Sequence, residues 1–124
     1  MTRYSFLRRT AALPDERHHL TQPGFVARLM QEGVFINDVP GRFTHGYGAE
    51  PQEIAPFFER YGLDAVQLVA SEGIAWGIQD ALAEMSADDP QAHQVMLDLV
   101  VRTAGDPSIL GVSDHLLYVG RKAR

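Results

Sequence analysis

The chain predicts an α+β fold of about five helices and two short strands. Two observations carry that class. Apolar residues recur at spacings of three and four in five segments, with proline or glycine punctuating most of their ends. Two short segments, near residues 65–70 and 115–120, instead hold apolar runs with no helical period, as buried strands do.

The elements follow in order. Arg3 to Ala12 reads as an amphipathic helix with Tyr4, Leu7 and Ala11 on one side, ended by Pro14. A polar loop is expected through Asp15, Glu16, Arg17, His18 and His19. Thr21 and Pro23 open a second helix, Phe25, Val26, Leu29 and Met30 form its stripe, and Gly33 stops it. Asn37 to Gly48 is irregular, with Phe43, His45 and Tyr47 alternating as in extended chain. A loop holding an aromatic pair and a histidine is a favourable place for a ligand contact.

Pro51 and Glu53 suit the start of a third helix, whose stripe is Ile54, Phe57, Phe58 and Tyr61. Pro56 predicts a kink or a late start, because it removes a helical hydrogen bond. Gly62 ends that helix, and Ala65 to Ala70 is the first strand. After the turn Ser71-Glu72-Gly73, a fourth helix is predicted from Ile74, Ile78, Leu82 and Met85. Asp89 and Pro90 cap and open the fifth, with Ala92, Val95, Met96, Leu99, Val100 and Thr103 on its apolar face. Gly105 closes it, and one short turn leads to the final strand.

Composition narrows the function. The 124 residues suit a single domain, 1–124, and the apolar content of 45% is ordinary for a globular chain. A net charge of −5 argues against nucleic acid, whose phosphates need a basic face. The basic clusters Arg8-Arg9 and Arg121-Lys122-Arg124 read as solvated ends. With no cysteine, disulfides, thiolate metal sites and thiol nucleophiles are all excluded. Apolar runs stay short of the roughly 18 residues of a membrane span, and no signal peptide is read at Met1. The expectation is a cytoplasmic protein with no membrane partner.

The chemistry-bearing residues give few motifs. His18 and His19 are adjacent, so they cannot share a helix face as a zinc-binding i, i+4 pair does, and no metal site is expected. Ser71, Ser108 and Ser113 lack the nucleophile-elbow pattern. Gly46-Tyr47-Gly48 is an isolated G-x-G that follows no buried strand, so it reads as a turn. Glu72 and Trp76 follow the end of the first strand, and ligands gather at the carboxyl ends of strands in open α/β sheets.

Taken in order, YGLDAVQLVASEG, the two helices and SILGVSDHLLYVGRK resemble the C-terminal portion of class I S-adenosylmethionine-dependent methyltransferases. The likeness is to the small-molecule group related to ubiquinone and menaquinone biosynthesis. In that family a helix of Pro-Glu-Glu-Leu character precedes a glycine turn and the sixth strand. Glu50-Pro51-Gln52-Glu53-Ile54 and Gly62-Leu63 stand in those places, and Tyr118 to Lys122 resembles the family's closing strand. Met1 to Leu13 is similar to the stretch just after the fifth strand.

The resemblance implies a remnant of an α/β Rossmann-like fold. Residues 1–48 would be lid-like and 49–124 a helix-strand-helix-helix-strand core, its two strands paired antiparallel. It implies methyl transfer to a small molecule, with Arg8, Arg9, His45 and Tyr47 in the lid beside Glu72 and Trp76 as substrate contacts. The family's glycine-rich cofactor loop has no counterpart here, so S-adenosylmethionine is the family's cofactor and this chain alone is expected to bind none. The family's closing strand also has a second neighbour, which this chain lacks. An open apolar edge then predicts a homodimer through strand 115–120 or the lid helices. The alternative is a dimeric module without catalysis that binds a small ligand or a partner.

Overall fold

The computed structural model describes residues 1–123. Its class is α+β, with two separate two-stranded antiparallel sheets. The first half contains α1 (Arg3–Ala12), a 3₁₀ turn (Arg17–Thr21), α2 (Phe25–Glu32), β1 (Val34–Ile36) and β2 (His45–Tyr47). The second contains α3 (Pro51–Glu59), β3 (Leu63–Ala70), a 3₁₀ turn (Gly73–Ala75), α4 (Gln79–Asp88), α5 (Pro90–Thr103), α6 (Pro107–Val112) and β4 (Leu116–Lys122). No helix among the described residues is long and apolar enough to cross a membrane.

Phe6, Leu29 and Phe35 form the first core, and Phe6 stacks on Phe35 with ring centroids 4.3 Å apart. Burying each of these side chains is worth about 1.5–3 kcal/mol. The glycine stop of α2 is real: Gly33 has φ +73° and its N–H donates to Leu29 O. The irregular segment contributes β2, which pairs with β1 from Val34 opposite Tyr47 to Ile36 opposite His45.

Two local signals act as their chemistry dictates. The Asp89 side chain accepts from Ala92 N–H at 3.0 Å and opens α5. Glu53 accepts from Glu50 N–H at the start of α3. That helix runs on through Pro56 to Glu59, beyond the late start that the proline suggested.

β3 and β4 pair antiparallel, from Leu63 opposite Lys122 to Ala70 opposite Leu116, with a register shift between Ala65 and Gln67 that leaves Val66 as a bulge. The inward face carries Leu68, Ala70, Leu116 and Tyr118; Tyr118 stacks on Phe58 of α3 at 4.4 Å and donates its hydroxyl to Leu63 O. The opposite face leaves Leu117 and Val119 exposed. Among the described residues, no strand pairs with the outer edge of β4.

Several expectations need correction. Among the described residues there are six helices where about five were expected, because Asp106 caps a short α6 through Ser108 N–H where only a turn was foreseen. The fourth helix does not begin at Ile74: Gly77, at φ +81°, breaks the chain and α4 starts at Gln79. The segment read as a polar loop forms the 3₁₀ turn from Arg17, and its Glu16 and His19 are fully buried. Val95 is exposed, off the half-buried face of α5. Arg8 and Arg9 are each engaged by other side chains, so they are not a solvated end.

Candidate functional site

The antiparallel register of β3 and β4 sets the end of one beside the start of the other. Glu72, two residues past β3, therefore meets His115, one residue before β4. Glu72 Oε1 lies 2.6 Å from His115 Nδ1, while Oε2 accepts His115 N–H at 2.9 Å. The buried Ser113 hydroxyl lies 3.0 Å from both Glu72 Oε2 and His115 O. Burial would raise the Glu72 pKa, yet the donors on His115 and Ser113 outweigh it and hold the carboxyl below its ordinary value.

A carboxylate can only accept, so Nδ1 of His115 is the protonated nitrogen. The neutral ring then has its lone pair on Nε2. That side chain is 55% exposed. Ser113 cannot be the nucleophile of a serine–histidine pair, because its hydroxyl reaches the carboxylate and a carbonyl instead of the imidazole.

Arg8 joins the same turn from α1. Its Nη2 donates to Val112 O and to Asp114 Oδ1, each at 2.6 Å, so it grips residues on both sides of Ser113. Its guanidinium also lies 4.0 Å above the Trp76 ring, a cation–π contact. Three of the six residues singled out in the sequence, Arg8, Glu72 and Trp76, thus gather around one turn. Ser113, Asp114 and His115 complete it. The sequence signal for them was weak: a polar triplet ahead of an apolar strand.

The other three lie elsewhere. Arg9 donates to Glu16 at 2.8 Å. His45 is exposed on β2. Tyr47 donates to Glu53 Oε2 at 2.9 Å and lines an open concavity of about 700 Å³ with Ile54, Phe57, Phe58 and Arg60. They do not share a site with the Glu72 cluster.

A second polar cluster lies inside the first half. Asn37 Nδ2 donates to Glu16 Oε1 at 3.0 Å, and Asn37 Oδ1 accepts Val39 N–H at 2.9 Å. These two bonds fix the amide, so its oxygen faces His19 Nε2 at 2.9 Å and that nitrogen must carry a proton. Burial would lower the His19 pKa, but bonds to Gln22 and Asn37 and the charges of Asp38 and Glu16 raise it overall. His18, His19 and Asp38 bring ligand atoms within 4.8 Å of one another. With Nε2 of His19 donating, its lone pair is not available to a metal there.

The glycines of Gly46-Tyr47-Gly48 are packed, not open. A Cβ on Gly46 would lie 2.7 Å from Phe6 Cζ, and one on Gly48 would lie 2.9 Å from Arg3 Cα. These backbone approaches are filled by the protein's own core, so the residues present do not fit a nucleoside cofactor at that loop. Comparison with family models, curated proteins and solved structures finds no match to this chain.

Proposed function

We propose that the chain is the substrate-facing part of a methyltransferase-like, Rossmann-derived fold, acting in the cytoplasm on a small molecule and inactive without a cofactor-binding part. One observation carries most weight: the Glu72, His115 and Arg8 cluster lies at the carboxyl end of β3, the end at which ligands gather in the open α/β sheet from which this reading derives the strand pair. The antiparallel closing strand and the ordered resemblance along the chain support the same reading. The Gly46-Tyr47-Gly48 loop is packed against Phe6 and Arg3 and does not fit S-adenosylmethionine. Arg8, Glu72 and Trp76 are the proposed substrate contacts; Arg9, His45 and Tyr47 belong at most to the surrounding lid.

Calorimetry provides the test. The isolated chain should give no heat with S-adenosylmethionine or its homocysteine product. Coding DNA read upstream of Met1 should supply an in-frame glycine-rich strand–loop–helix, and the extended protein should bind both compounds. An upstream sequence without that element, together with an extended chain that binds neither, rules methyl transfer out.

A homodimer without catalysis is the second reading, and the surface favours it. The accessible area is 7966 Å², against about 6,600 Å² for a compact monomer of this size. The excess, about 1,400 Å², exceeds the ~800 Å² per partner of a standard interface. Leu117 and Val119 on the open face of β4 are natural contacts for a second copy. Light scattering of the chain and of Leu117→Lys decides: a wild-type dimer that the substitution splits supports it, and a wild-type monomer refutes it.

A further inference from the structure

We propose that Glu72 and His115 form a proton-accepting site for a small molecule bearing an acidic hydroxyl, a phenol or an enol. The geometry is that of an oriented base. Glu72 accepts a hydrogen bond from Nδ1–H of His115 at 2.6 Å and is itself fixed by His115 N–H and the Ser113 hydroxyl. The ring is held in one tautomer with the lone pair on Nε2, and the side chain is 55% exposed. When Nε2 takes a proton, the ligand's O–H bond breaks, its electron pair stays on oxygen, and the imidazolium is stabilised by the carboxylate against Nδ1. The proton then leaves to water.

Acidity selects the ligand class. Imidazoles titrate near 6.5 and phenols near 10, so transfer is uphill by only about three to four pK units. Aliphatic alcohols are far less acidic, close to water itself, and lie beyond the reach of such a base. Arg8 is anchored at the same turn by Val112 O and by its ion pair with Asp114. Trp76, under Arg8 and more than a third exposed, offers an aromatic surface beside it.

The proton-accepting role stands without a methyl donor. Use of the resulting oxyanion as a methyl acceptor rests on the function proposed above. 4-Nitrophenol is a suitable probe, because ionisation colours it. Titrated into the chain at constant neutral pH, it should gain phenolate absorbance on binding. His115→Gln should abolish the gain, and Glu72→Gln should weaken binding about tenfold or more. Circular dichroism checks that each variant is folded. Nitrogen NMR of the wild type is independent of any variant: the neutral ring of His115 should carry its proton on Nδ1. A proton on Nε2 instead, no phenolate gain in the wild type, or full gain in folded His115→Gln overturns the proposal. No methyl donor enters these measurements, so failure here and failure of methyl transfer are separate results.

Discussion

Arg3 donates to Glu53 Oε1 at 2.5 Å and so ties the first residue of α1 to the first turn of α3. The same guanidinium reaches Gly48 O at 3.0 Å, Met30 O at 2.8 Å and Glu50 Oε1 at 3.1 Å. Only 7% of the side chain is exposed. One residue thus links α1, α2, the end of β2 and α3.

Replacing Arg3 by Met should cost about 3 kcal/mol, since two carbonyls and two carboxylates lose their donor together. Arg3→Lys should recover less than half of that, because an ammonium cannot reproduce the planar fork. Urea denaturation measures both. Equal stability of wild type and Arg3→Lys contradicts the shared-fork account.

Asn37 joins the buried Glu16 and His19. Asn37→Ala leaves each of them short of a partner, at about 1–3 kcal/mol per orphaned group. The loss should show as a lower denaturation midpoint with little change in slope.

Stability should fall on both sides of neutrality. Glu72 and Glu53 are depressed below the ordinary carboxylate value of 4.5 in the folded chain. For Glu53, burial opposes the shift, and the Glu50 N–H, Tyr47 and Arg3 overcome it. Their stabilisation is present above 4.5 and is lost as pH falls through the lower folded values. His19 is raised above 6.5, so its contribution is full below that value and is lost as pH rises through the folded one. Thermal melts across pH should show both limbs. Glu72→Gln should flatten the acid limb and His19→Gln the alkaline one.

Gly120 makes room for Tyr118. A Cβ there would lie 2.7 Å from Tyr118 Cε1, while Phe58 stacks on the ring and Leu63 O holds its hydroxyl. The ring cannot move aside without losing these contacts, so Gly120→Ala should cost about 1–3 kcal/mol. Gly111, inside α6 with nothing within 4 Å of its missing Cβ, is the contrast. Gly111→Ala should stabilise by about 0.5–1 kcal/mol. Calorimetric melting of the pair should move in opposite directions.

Local chemistry was legible in the sequence. The Gly33 stop, the Asp89 cap and the apolar runs of β3 and β4 depend on near neighbours and a side chain's own propensity. The polar ends of the strands were not legible, because pairing carries Asp64, Arg121 and Lys122 into the ladder after the apolar run has ended. Nor was the burial of Glu16 and His19, whose shared partner Asn37 is about twenty positions away and comes near only through the tertiary fold. The candidate site was half visible. Glu72 and Trp76 stood out by their place after a strand, but Glu72 and His115 are 43 positions apart and meet only through the strand register.

Thr2 is stitched to the other end of the chain. Its hydroxyl donates to Ser113 O across 111 positions, and its N–H donates to Asp114 O. The turn that holds Ser113 and His115 is therefore completed by a residue more than a hundred positions away. Closing so long a loop is entropically expensive and comes late in folding. The candidate site is then a product of long-range closure, assembled only once residues 111 positions apart have met.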